Sequence, residues 1–153
     1  MKDRTPTRIL VGIDFSPASR RALRYSIDLA AQSSAQLDLV HVMTPSVPVT
    51  AGPEPLAMAA VAVDERPRVQ QELETWCAVG RENGVASSCH LIEGEPASAI
   101  LECAEEIGAD HIVLGAHGHS RLHELFLGSV ARDVQSRALC PVTTLRALHE
   151  AVA

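Results

Sequence analysis

A chain of 153 residues, 46% hydrophobic and 21% charged, is one domain's worth of sequence with enough apolar residues for a full core, which excludes global disorder. Its formal net charge is −6 and it has no basic patch, which argues against a partner held through nucleic-acid phosphates. A single lysine, Lys2, excludes a Walker-A loop and argues against Schiff-base or kinase-type lysine chemistry, and four scattered aromatics offer no platform for stacking bases.

Residues 8–13 form a short apolar, β-branched run that reads as a buried strand. Ser16 suits an N-cap and Pro17 a first helical position, so a helix starts there, with Leu23, Ile27 and Ala30 at helical spacing. Residues 37–42 read as the second strand, and strand, helix, strand in this order implies a parallel pair with a right-handed crossover. Residues 44–67 carry Pro45, Pro48, Pro53, Pro55 and Pro67; such density breaks regular structure, and the segment is expected to be mobile, with 56–64 compatible with a short helical piece.

Helical spacing resumes over 66–83 through Val69, Leu73, Trp76 and Cys77, and Asn83-Gly84 stops it. Residues 88–93 read as the third strand. Pro96 opens a helix carrying Ile100, Leu101, Ala104 and Ile107, closed by Gly108. Residues 111–114 read as the fourth strand, 122–127 as a helical turn, 129–138 as the last helix and 142–145 as the fifth strand. This alternation predicts a single domain, 1–153, of the three-layer, doubly wound α/β class.

No stretch approaches a membrane span, and the polar residues 1–8 do not read as a signal peptide. Cys77, Cys89, Cys103 and Cys140 form no C-x-x-C pair and read as buried or half-buried thiols in a reducing cytoplasm.

Ligands on open α/β sheets bind beyond the carboxyl ends of strands, which singles out two loops. The first is Gly12-Ile13-Asp14-Phe15-Ser16, after the first strand. The second begins Leu114-Gly115-Ala116-His117-Gly118 and ends Gly128-Ser129-Val130, after the fourth. Gly115 and Gly118 bracket a tight turn where backbone can approach a ligand, and Gly128-Ser129 opens a helix whose free amides and hydroxyl favour an anion. Together they make a phosphate cradle without lysine. Asp14 is either a ligand group or an aid to the Ser16 cap. His117, His119 and His123 lack the Cys or carboxylate company of a known metal geometry, so no metal site is expected; they and Arg121 are solvated loop side chains or phosphate contacts. No G-x-S-x-G elbow is present, and only the loop histidines and Glu124 offer a general base, so a nucleophilic hydrolase is not expected and any hydrolysis is expected to be slow.

The pattern G-x-x-G, nine residues, then G-S resembles the nucleotide-binding motif of the universal stress protein family. The resemblance runs over nearly the whole chain. Residues 9–16 resemble the family's first strand with its Asp-x-Ser, His41-Val42 its second strand, residues 109–115 the approach to the motif, and Cys140-Pro141-Val142 the closing strand. It implies a Rossmann-like, adenine nucleotide α-hydrolase-like fold with a five-stranded parallel sheet, and ATP as ligand, with or without Mg²⁺ or Mn²⁺. On that resemblance Asp14 would lie on the ribose or metal side, and Val42 would meet adenine through its backbone. Gly115 and Gly118 would wrap ribose and phosphates, and Gly128, Ser129 and Val130 would hold the phosphates. It also implies a homodimer through the last strand, Val142, Thr143, Thr144 and Leu145, here more polar than the usual aliphatic run. The reading is then an ATP-binding stress or signalling regulator with an unidentified protein partner. The rival readings are an interaction module that needs no nucleotide, a binder of AMP or a cyclic nucleotide, and a slow ATPase.

Overall fold

Apolar strands alternating with amphipathic helices can bury both sheet faces only in a layered α/β arrangement. A computed structural model describes residues 4–45, 64–117 and 127–147. The elements run β1 (Arg8–Gly12), α1 (Pro17–Ser33), β2 (Gln36–Met43), α2 (Arg66–Glu82), β3 (Ser87–Glu93), α3 (Pro96–Ile107), β4 (His111–Gly115), α4 (Ser129–Arg137) and β5 (Val142–Leu145). All strand pairs are parallel, in the order β3-β2-β1-β4-β5. Of the expected proline-rich segment 44–67, residues 46–63 lie outside the described residues and Arg66 and Pro67 already belong to α2; Gly118, His119, Arg121, His123, Glu124 and all of the expected turn but Leu127 also lie outside them.

The two-residue alternation of each strand assigns its side chains to two cores. Ile9, Val11, Leu37 and Leu39 face α1 and α2, packing with Leu23, Leu73 and Trp76. Leu10, Val40, Ile112 and Leu114 face the opposite way, against Ile100, Cys103 and Val134 of α3 and α4. The first three strands are therefore wound in one direction from β1, and the chain then crosses back to place β4 on the other side of β1. The strand order switches between β1 and β4, so the helices diverge there and leave a crevice at the carboxyl ends.

Local chemistry sets the helix ends. Ser16 caps α1, its hydroxyl accepting the N–H of Ser19 at 3.2 Å, with Pro17 in the first turn. Glu95 caps α3 by accepting from Ala97 and Ser98, and Gly108 ends it at φ 69° in the left-handed region. At the opposite end of the sheet Asp110 ties β1 to β4 by accepting the N–H groups of Thr7 and Arg8. Several expected boundaries move by one residue, those of β1 and α4 for visible reasons. β1 ends at Gly12, not Ile13, because Phe15 takes φ 62° and turns the chain, though the Ile13 N–H still donates to Val40 at 2.8 Å. α4 ends at Arg137, because Ala138 is already extended.

Candidate functional site

The crevice at the switch point is a cleft of about 360 Å³. Its walls come from the ends of three strands and the first turns of α1, α3 and α4. Of the residues singled out in the sequence, Gly12, Ile13, Asp14, Val42, Leu114, Gly115, Gly128, Ser129 and Val130 all line it, drawn together from three distant stretches of chain. Gly118 lies outside the described residues.

The floor is apolar. Leu114 is buried, and Gly12 has no room for a Cβ because the Leu114 side chain occupies that space. Val42 on β2 pairs with Ile92 of β3 and closes one side. Ile100 of α3 and Ala131 of α4 complete an apolar wall beside it. Such a surface suits the flat face of a heterocycle.

The opposite end is polar. The Gly128 N–H donates to the Ala116 carbonyl and brings the start of α4 against the end of β4. Gly128 is the N-cap of α4 and carries no side chain, and among the described residues no side chain caps the helix. The first-turn amides of Ser129, Val130 and Ala131 thus stand at the cleft without a side-chain acceptor, next to the Ser129 hydroxyl. The contrast with α1 and α3 is plain, since Ser16 and Glu95 cap those helices. Beside this helix start His117 keeps its Nε2 buried, with no hydrogen-bond partner among the described residues. A buried polar atom left unpaired costs free energy.

The glycines also have a packing role within the protein. An added Cβ at Gly115 would lie 2.9 Å from backbone atoms of Ala18 and Ser19, and at Gly128 2.9 Å from the Ala116 oxygen. The close approach that glycine permits is therefore of protein backbone to protein backbone, holding the first turns of α1 and α4 against β4.

Asp14 takes on the capping role considered for it: its Oδ1 accepts the Ser16 N–H at 2.9 Å while the residue lines the cleft. Sequence reasoning missed His41. Its Nδ1 donates to the Ile13 carbonyl at 2.7 Å, which pins the loop after β1, and it also lines the cleft. Nor did it see that two of the scattered aromatics meet. Phe15 lies 4.7 Å from the His41 ring and 5.4 Å, edge-on, from Trp76, while Arg20 sits 5.0 Å over Trp76. Only the His41-Val42 pair in the second strand hinted at His41, and nothing local foretold the Phe15–Trp76 contact. No group of three metal-ligating side chains occurs among the described residues, and no described helix is long and apolar enough to cross a membrane.

Residues 6–146 match the model of the universal stress protein family. The chain is 35% identical to the universal stress protein YxiE of Bacillus subtilis, over 91% of this chain and 98% of that one. A solved structure from the universal stress protein family of Burkholderia pseudomallei is 31% identical with a TM-score of 0.71, covering 91% of this chain and 95% of its own. A universal stress protein from Archaeoglobus fulgidus in complex with dAMP is 25% identical with a TM-score of 0.67, covering 93% and 99%.

Proposed function

The chain belongs to the universal stress protein family, and from that premise we propose that it binds ATP in the β1–β4 cleft and serves as a homodimeric regulator whose conformation follows the nucleotide. One observation carries the reading: the first-turn amides of α4, capped by no described side chain, stand at the polar end of a cleft with an apolar floor. Phosphates belong at the amide end, by helix-terminus hydrogen bonding and the positive end of the helix dipole. The base belongs against Val42, Ile100 and Leu114, and the ribose near Asp14.

Among the described lining residues there is no lysine or arginine. Phosphoryl transfer needs cationic charge at the leaving phosphate, so this cleft suits holding ATP better than splitting it. A divalent cation would have Asp14 and the phosphates as its ligands, supplying charge neutralisation to the bound nucleotide.

Dimerisation is assigned to β5, the edge strand, whose four residues are half-buried and whose outer backbone groups can pair with a second copy. The free thiols at all four cysteines fit a reducing cytoplasm.

A second reading, AMP or another adenosine monophosphate as the physiological ligand, draws on the Archaeoglobus fulgidus relative in complex with dAMP. Mass spectrometry of nucleotide released from the purified protein separates the two. ATP in the released fraction supports the first reading, and a monophosphate alone supports the second.

A further inference from the structure

We propose, on the nucleotide reading given above, that His41 is a positioning residue for the nucleoside half of the ligand: it takes the Ile13 carbonyl out of the β1–β2 ladder and so leaves the Val42 N–H to the base. Hydrogen bonding along β2 shows how the ladder ends. Even-numbered residues of β2 bond toward β1, as the Gln36 N–H does to Thr7 at 3.0 Å and the Val40 carbonyl does to the Ile13 N–H at 2.8 Å. One step further, a parallel ladder would have the Val42 N–H donate to the Ile13 carbonyl.

His41 stands in for that donor. Its Nδ1 gives a hydrogen bond to the Ile13 carbonyl at 2.7 Å, and because a carbonyl only accepts, Nδ1 carries the hydrogen. Among the described residues the Val42 N–H is then without a backbone partner. It faces the gap that opens between β2 and the loop after β1, where Ile13, Asp14 and Val42 line the cleft. A main-chain donor at such a place takes its acceptor from water or from a ligand. A ring nitrogen of a base set against Val42 is an acceptor of that kind.

The same ring acts on the far side of Asp14. Strand alternation puts His41 on the face of Leu37 and Leu39, toward α1 and α2, and Val42 on the opposite face. There the imidazole lies 4.7 Å from the Phe15 ring, which in turn meets Trp76 edge-on at 5.4 Å. Phe15 has φ 62°, a conformation that a bulky aromatic keeps only where its surroundings over-determine it. Held so, it turns the chain sharply enough for Asp14 Oδ1 to accept the Ser16 N–H at 2.9 Å. His41 therefore grips the chain on both sides of Asp14, by a hydrogen bond at Ile13 and by ring contact at Phe15. It fixes the span between Asp14 and Val42, the residues set at the ribose and at the base. Phenylalanine has the ring without the donor, and asparagine has a donor near the Nδ1 position without the ring.

The test uses the full chain stripped of nucleotide. Amide hydrogen exchange followed by NMR reads Val42 directly and needs no variant: its N–H is expected to exchange about tenfold or more faster than that of Val40, and Mg-ATP is expected to slow it. In calorimetric titration with Mg-ATP, His41→Phe is expected to bind about tenfold more weakly than wild type, and His41→Asn to recover about threefold of that loss. The thermal midpoint of nucleotide-free His41→Phe stays close to wild type, whereas a role in stability alone would move the midpoint and leave the affinity of the folded protein unchanged. A Val42 N–H already protected without nucleotide, or His41→Phe binding Mg-ATP as tightly as wild type, would overturn the proposal alone. Wild-type protein that binds no Mg-ATP would overturn the nucleotide reading and the proposal with it.

Discussion

Gly115 meets Ala18 so closely that the end of β4 and the first turn of α1 leave no space for a single methyl group between them: a Cβ at 115 would stand 2.9 Å from both the carbonyl carbon and the Cβ of Ala18. This contact sets one wall of the cleft, because α1 starts from the loop that carries Asp14. Gly115→Ala is expected to push α1 off β4 and to destabilise the nucleotide-free protein by about 1–3 kcal/mol. Urea denaturation without added ligand measures this. A midpoint equal to wild type would show that the glycine serves a ligand and not the packing.

Asp38 is fully buried and answers two partners. Arg8 donates from Nε at 2.9 Å and His90 from Nε2 at 2.8 Å. Adjacent strands β1, β2 and β3 each supply one member. Removing the carboxylate leaves the guanidinium and the imidazole facing an apolar layer. Asp38→Ala is therefore expected to cost about 3 kcal/mol, the lower end for a broken buried pair because both partners reach solvent. A loss under about 1 kcal/mol in chemical denaturation would show the network to be marginal.

His111 hydrogen-bonds Thr143 at 2.9 Å and so joins β4 to the edge strand β5. Burial lowers its pKa, against a smaller raising effect of Asp110. The folded state thus favours the neutral ring. Its contribution to stability is complete above the unfolded value of about 6.5 and is lost as pH falls from there through the folded pKa. Stability should decline over that window, and His111→Gln should flatten the decline. Equal slopes in variant and wild type would place the titration elsewhere.

These residues also show where reading the sequence succeeds. Ser16-Pro17 and Pro96 with Gly108 announce helix ends because capping is a matter of adjacent residues. The strands stood out because burial on both faces makes them nearly continuous apolar runs. The cleft was legible because strand-end glycines and a Gly-Ser helix start recur at the switch of an α/β sheet. What stayed hidden depends on register and docking. Asp38 finds Arg8 and His90 only once three strands align, and Phe15 finds Trp76 only once α2 packs beside the loop after β1. The left-handed turn at Phe15 was equally out of reach, since a bulky aromatic is a poor local signal for φ 62°.

The most direct test of the nucleotide assignment is thermal denaturation of the purified, nucleotide-stripped protein with and without Mg-ATP. At a ligand concentration a hundredfold above Kd, binding stabilises by about 2.7 kcal/mol, a rise in Tm of about 5–10 °C for a chain of this size. Gly128→Val, which drives a side chain into the Ala116 carbonyl and displaces the α4 amides, should lose that rise. No shift in the wild-type protein at millimolar Mg-ATP would contradict ATP binding in this cleft.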